Sequence, residues 1–224
     1  MRRLALAAAI PLLLGVLLVG CIVSDELTTF SIRPDGSADL VLYRSNVRST
    51  EERSKAEEEL RSYVERFDAR QDSDAVRIRE AGGEIVAAHW LRRELPCSNV
   101  VVARFPGAPA LEKYLTIAGK DGELQLETHF SKEGARRRLR LVLRPPKDFK
   151  LAEPGNVKET RQKQADGISE TRFVVTDSRI VTTRGFTAAA DGRSALFALD
   201  QLEELLHADP RRVELFLEWE VPAK

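Results

Sequence analysis

Leu27-Thr28-Thr29-Phe30-Ser31-Ile32-Arg33-Pro34-Asp35-Gly36-Ser37-Ala38-Asp39-Leu40-Val41-Leu42-Tyr43-Arg44 is the stretch on which the fold class turns. Two alternating runs flank Pro34-Asp35-Gly36-Ser37, where proline, aspartate and a glycine free to take positive φ suit a tight turn. Folding the chain about Asp35 sets Ile32 opposite Ala38, Phe30 opposite Leu40 and Thr28 opposite Leu42. That register gathers the apolar side chains on one face, so the stretch is an antiparallel hairpin.

Toward the C-terminus, Ser49 and Glu52 stand at capping-box spacing, followed by Ala56, Leu60, Tyr63, Val64 and Phe67 on one helical face. This predicts an amphipathic helix of about twenty residues. A shorter helix through Ala75 to Ala81 would stop at Gly82-Gly83. Glu84 to Leu95 and Asn99 to Phe105 read as strands, and Val100-Val101-Val102 as a run buried on both faces. Pro106 to Pro109 reads as a loop.

Asp121-Gly122 and Glu133-Gly134 are hairpin signals within Tyr114 to Arg144. Pairing across the first sets Ile117 opposite Leu126 and Leu115 opposite Thr128. Pairing across the second sets Leu126 opposite Leu141, Leu124 opposite Leu143 and Thr128 opposite Leu139. A three-stranded meander follows. Residues 147–167 are polar and aperiodic, as in a long loop or flap. Thr171 to Thr176 and Ile180 to Thr183 resemble another hairpin, and Asp200 with Glu203 a cap for a helix carrying Leu202, Leu205 and Leu206. Val213, Leu215, Leu217, Trp219 and Val221 alternate with polar positions, as in a half-buried strand. The expected fold class is α+β: antiparallel hairpins and a meander packed with one long and one or two short amphipathic helices. Residues 27–224 form one extracytoplasmic domain or two subdomains.

Toward the N-terminus, Met1-Arg2-Arg3 precedes an apolar run from Leu4 to Gly20, the order of a secretory signal in residues 1–20. Leu18-Val19-Gly20-Cys21 resembles the lipobox of bacterial lipoproteins. The resemblance implies diacylglyceryl transfer to the Cys21 thiol, cleavage between Gly20 and Cys21, and acylation of the new amino group. An uncleaved transmembrane anchor is the alternative, though seventeen apolar residues broken by Pro11 are short for a span. Ile22 rather than Asp follows the cysteine. By resemblance to the Gram-negative sorting rule, this favours the periplasmic face of the outer membrane. Ile22 to Glu26 would then be a tether of roughly 17 Å between lipid and fold.

The 224 residues hold 35 Lys+Arg and 35 Asp+Glu, with 43% hydrophobic and 31% charged residues. The hydrophobic fraction points to a globular chain, and the absent basic surplus argues against nucleic acid as a partner. Removing the first 20 residues leaves 204, with 33 basic against 35 acidic side chains and a net charge of −2. Of the two cysteines, Cys21 is the attachment point and Cys97 a lone thiol, expected to be buried.

Catalytic patterns are absent from the sequence. His89, His129 and His207 lie on separate elements, with no HExxH, CxxC, GxSxG or phosphate-loop motif, so no metal and no cofactor is expected. Arg136, Arg138, Arg140 and Arg144 share one strand face. The hairpin register places Glu127 opposite Arg140, Glu123 opposite Arg144 and His129 opposite Arg138, a solvated charge ladder; the other reading is a lipid-headgroup site.

Cys21, the strand ending Ile32-Arg33-Pro34-Asp35-Gly36, a helix, a run of strands and then Pro154-Gly155-Asn156-Val157 together resemble the LppM-type bacterial lipoproteins. The resemblance implies a non-enzymatic α+β envelope domain that binds lipid or glycolipid. The chain departs from that pattern in ending Pro222-Ala223-Lys224 directly after a strand, where such proteins carry a hydrophobic helix. The functional expectation is a lipid-anchored binding or accessory module whose ligand is a lipid or an envelope protein. The alternative is an envelope hydrolase with residues 147–167 as a lid over Cys97, paired with His89, or over a carboxylate pair.

Overall fold

The Pro34-Asp35-Gly36-Ser37 turn closes as its residues dictate. The computed structural model describes residues 22–51, 53–119, 123–146, 169–197 and 199–222. Gly36 takes φ +91° and donates its N–H to the Arg33 carbonyl, while Asp35 Oδ1 accepts from the N–H and Oγ of Ser37 at 2.9 and 2.7 Å. The flanking strands, β1 (Ile22–Ile32) and β2 (Ala38–Ser49), pair in the expected register, with Phe30 opposite Leu40. β1 nevertheless starts at Ile22, so residues 22–26, expected as a tether, belong to the sheet. The cause is packing: Ile22 is buried against Val47, Leu60, Tyr63 and Cys97. The register shifts between Val23 and Asp25, opposite Asn46 at φ +53°, and the extra residue turns Val47 inward.

Helix α1 (Arg53–Asp68) is 16 residues long and buries Leu60, Tyr63 and Phe67. Ser49 is the last residue of β2, where its Oγ accepts from the Glu51 N–H at 3.1 Å, while the Glu52 half of the expected capping box lies outside the described residues. Helix α2 (Ser73–Glu80) begins earlier than expected because Asp72 caps it, accepting from the N–H groups of Asp74 and Ala75. It ends where Gly82 turns to φ +84° and the N–H groups of Gly82 and Gly83 reach back to the carbonyls of Arg79 and Ile78.

Strands β3 (Glu84–Arg92) and β4 (Cys97–Phe105) follow. The expected two-sided burial of β4 holds for one face only. Cys97, Asn99, Val101, Ala103 and Phe105 are buried there, beside Tyr63, Phe67 and Ile78 of the helices, while Val100 and Val102 on the other face are half-buried.

The expected meander is corrected in two places. Ala108–Leu115 is a helix, α3, with Pro109 in its first turn and Leu111, Tyr114 and Leu115 buried, so Leu115 has no strand partner. Ile117 and Leu126 do form a bridge, but the Asp121-Gly122 turn lies outside the described residues. β5 (Gln125–Glu133) and β6 (Arg136–Arg144) form the second hairpin, turning at Gly134-Ala135 instead of Glu133-Gly134. Thr128 therefore meets Leu141, and Leu126 meets Leu143, two residues from the expected partners. A shift of two keeps every side chain on its expected face.

β7 (Ser169–Val175) and β8 (Arg179–Arg184) do not form the expected hairpin. β7 runs parallel beside β1, with Phe173 opposite Phe30 and their rings stacked at 5.2 Å, whereas β8 joins the other sheet. A short hairpin of β9 (Phe186–Ala188) and β10 (Ser194–Phe197) follows. Helix α4 (Leu199–Ala208) buries Leu202 and Leu206, while the side chains of its expected cap, Asp200 and Glu203, lie outside the described residues. In β11 (Val213–Glu220) Val213, Leu215, Leu217 and Trp219 point inward as expected.

Two sheets result, a seven-stranded one ordered β3-β4-β2-β1-β7-β10-β9 and a four-stranded one ordered β5-β6-β11-β8. One apolar cluster runs from Phe30, Leu40 and Phe105 of the first to Leu139, Leu141 and Trp219 of the second, so the two sheets share a core. α3 ties the sheets: the Glu112 carboxylate accepts from the Phe130 N–H of β5, and Arg77 of α2 donates twice to the Tyr114 carbonyl, at 3.0 and 2.6 Å. The structure is α+β.

Candidate functional site

The end of the seven-stranded sheet where β1 begins is the candidate site. A small apolar cluster of Ile22, Val47, Leu60, Tyr63 and Cys97, with Trp90 against it, fastens the first residue of β1 under α1. The Tyr63 hydroxyl accepts from Asn99 Nδ2 at 2.7 Å, and Trp90 Nε1 donates to Asp68 at 2.7 Å. Gly20 and Cys21 themselves lie outside the described residues, as does the 147–167 segment.

One step inward is a buried ion cluster. Extending the first hairpin register by one pair sets Glu26 directly opposite Arg44, on the same inward face as Phe30 and Leu40. An inward arginine needs a charge partner. Arg44 Nε lies 3.1 Å from Glu26, and an Nη reaches Asp74 in the first turn of α2. Burial pushes the Arg44 guanidinium down, but Asp74 and Glu26 outweigh it and hold its pKa well above the ordinary arginine value. Burial and the like charge of Asp74 raise the carboxyl of Asp72. The cluster clamps β1 and β2 to α2. Its sequence signal was the hairpin register carried one pair further.

The arginine ladder lies on β6 of the four-stranded sheet and is charge-matched. Its partners come from β11 more than from β5: Arg138 pairs with Glu218, Arg140 with Glu214 at 2.7 Å, Arg136 with Glu218 and Glu220, and Arg144 with Glu127. The expected opposite numbers change with the two-residue shift, His129 facing Arg140 and Glu127 facing Val142. These pairs are the charge ladder expected of the β6 arginines.

Cys97 is 1% exposed, and its Sγ donates to the Arg93 carbonyl at 3.3 Å. Burial raises the thiol pKa against the opposing pull of Arg92 and Arg93. His89 is exposed on the opposite face of the sheet, so the structure does not bring the two together as nucleophile and base. His129 is on β5 and His207 in the last turn of α4, and among the described residues no group of His, Cys, Asp and Glu could hold a metal ion. A shallow open hollow lined by Arg184, Leu205, Arg212 and Glu214 measures about 170 Å³, below the usual range of ligand pockets. No helix among the described residues is long and apolar enough to cross a membrane.

The geometry defines a two-sheet α+β domain whose first strand starts one residue after Cys21. No family model matches the chain, and no curated protein does. Among solved structures it is similar to the NMR structure of the LppM folded domain of Mycobacterium tuberculosis, at 10% identity over 93% of this chain and 95% of that one, with a TM-score of 0.44.

Proposed function

We propose that the protein is a membrane-anchored bacterial lipoprotein, cleaved after Gly20 and acylated on Cys21, whose domain is a non-enzymatic binding or accessory module at the envelope surface. One observation supports this above the others: Leu18-Val19-Gly20-Cys21 runs directly into β1, and Ile22 is already packed into the fold. One residue advances the chain about 3.8 Å, so an acylated Cys21 holds the domain against the bilayer with no linker. Two or three acyl chains make a stable anchor, since each buried CH₂ contributes about 0.8 kcal/mol. The ligand is a lipid or an envelope protein. In a Gram-negative cell the periplasmic face of the outer membrane is favoured by Ile22 at the position after the cysteine. The non-enzymatic reading is supported by the inward, high-pKa thiol of Cys97 and its separation from His89 by the thickness of the sheet.

Mass spectrometry of the N-terminal peptide, from protein made in a host that processes lipoproteins, tests the anchor. The expected peptide begins at acylated Cys21, and Cys21→Ala abolishes membrane retention. An intact, unmodified Met1 to Cys21 segment overturns the reading.

A further inference from the structure

We propose that the end of β3 and the turn leading from it to β4, Leu91 to Pro96, form a second membrane contact that seats the domain end-on in the bilayer holding its anchor; this rests on the lipoprotein reading above. Leu91 and Leu95 are 60% and 54% exposed, the most exposed large apolar side chains among the described residues. Leu91 is the penultimate residue of β3 and Leu95 lies in the turn that follows, four residues further on. Elsewhere the exposed apolar residues are less open, Val86 at 50% and Val181 at 44% among them.

The sheet fixes where the loop lies relative to the anchor. Ile22 is opposite Ser49, Val47 is opposite Cys97, and Ser98 is opposite Arg92. The start of β1 and the β3–β4 loop are therefore at the same end of the sheet, three strand spacings apart, or roughly 14 Å. An acyl chain on the residue before Ile22 puts the headgroup layer at that end, within reach of the loop. The strands stand on the bilayer, with the Pro34 to Ser37 turn pointing away.

The occupant is lipid, and the contact is mainly apolar. Arg92 and Arg93 directly precede Glu94, and Arg93 pairs with Asp68 of α1, so the four charges cancel. Arg92 donates a 3.5 Å hydrogen bond to the Leu95 carbonyl, which keeps its guanidinium beside the loop tip where headgroup phosphates would lie. Insertion of leucines with little net charge predicts a contact that depends weakly on salt and on anionic lipid.

The test uses the lipidated full chain, in a Cys97→Ala background, reconstituted in vesicles of phosphatidylethanolamine and phosphatidylglycerol. An environment-sensitive fluorophore is placed on Leu91→Cys, on Leu95→Cys and, as a distant control, on Glu133→Cys. Labels at 91 and 95 are expected to shift to the blue and to be quenched by lipids carrying a quencher in the acyl chain, at least threefold more than the label at 133. The shift is expected to persist in high salt and in phosphatidylethanolamine–phosphatidylcholine vesicles. Thermal melts confirm that the labelled proteins are folded.

A protein that floats with the vesicles while labels at 91 and 95 are no better quenched than that at 133 overturns the proposal and leaves the anchor standing. A protein that does not float, with an unmodified Cys21 by mass, overturns the anchor reading itself. Blue shifts at 91 and 95 that occur equally without vesicles show a protein contact and also overturn the proposal.

Discussion

Arg44→Met removes the only cation named in the buried cluster and leaves Asp74, 1% exposed, and Glu26, 12% exposed, facing each other on the inner side of the sheet. Breaking a buried ion pair by deleting one partner costs about 3–5 kcal/mol, because the remaining charge keeps its desolvation penalty. For a domain of this size each kcal/mol moves Tm by about 2–4 °C, so the melting temperature is expected to fall by roughly 6–20 °C. Circular dichroism melts and urea titrations of the mature chain at neutral pH measure this. The triple variant Arg44→Met, Glu26→Gln, Asp74→Asn removes the charges together and is expected to recover most of the loss. A single variant that loses less than about 1 kcal/mol, or a triple variant no better than the single, would refute the claim that the cluster clamps the sheet to α2.

Gly36→Ala forces a Cβ to 2.7 Å from the Ala108 Cβ and 2.9 Å from the Phe130 ring at φ +91°, so a loss of about 1–3 kcal/mol is expected by urea denaturation. Asp72→Asn keeps the cap acceptor while removing a carboxylate that burial and Asp74 disfavour. With its folded pKa raised, the ionised group weakens folding as pH rises past its unfolded value, so the Asn variant should equal or exceed the parent at neutral pH, whereas Asp72→Ala should lose about 1 kcal/mol. Native Cys97 should react with iodoacetamide much more slowly than the unfolded chain; equal rates would show the thiol to be open.

Faces were legible in the sequence where side chains alternate, and partners only where a turn left no choice. Pro34-Asp35-Gly36 admits one register, and it formed. Glu133-Gly134 and Gly134-Ala135 turns both keep the leucines of β6 inward, so hydrophobic pattern could not choose between them. Leu111, Tyr114 and Leu115 carried helical spacing, with Pro109 at the start, yet the reading of Tyr114 as a strand residue hid α3. The β9–β10 hairpin was not anticipated, although Asp191-Gly192 lies in its turn, where Asp191 accepts from the N–H groups of Arg193 and Ser194. The separation of β7 from β8 had no local signal. The turn at Thr176 to Ser178 between them suits a hairpin, and only the long-range match of Phe173 to Phe30 distinguishes the outcome. At the site, the Glu26–Arg44 pair was implicit in the register, while Asp74 became visible only once α2 was docked.

The parallel pairing of β1 with β7 has a consequence for biogenesis. A chain made from its N-terminus can zip β1 to β2 at once, but the other edge of β1 must wait for residues 169–175. Until then, the strand nearest the proposed lipid anchor offers unpaired N–H and carbonyl groups beside Phe30 and Ile32, a template for the wrong neighbour. The domain therefore completes its central sheet late, and shielding is needed most in the interval between emergence of the first hairpin and arrival of β7.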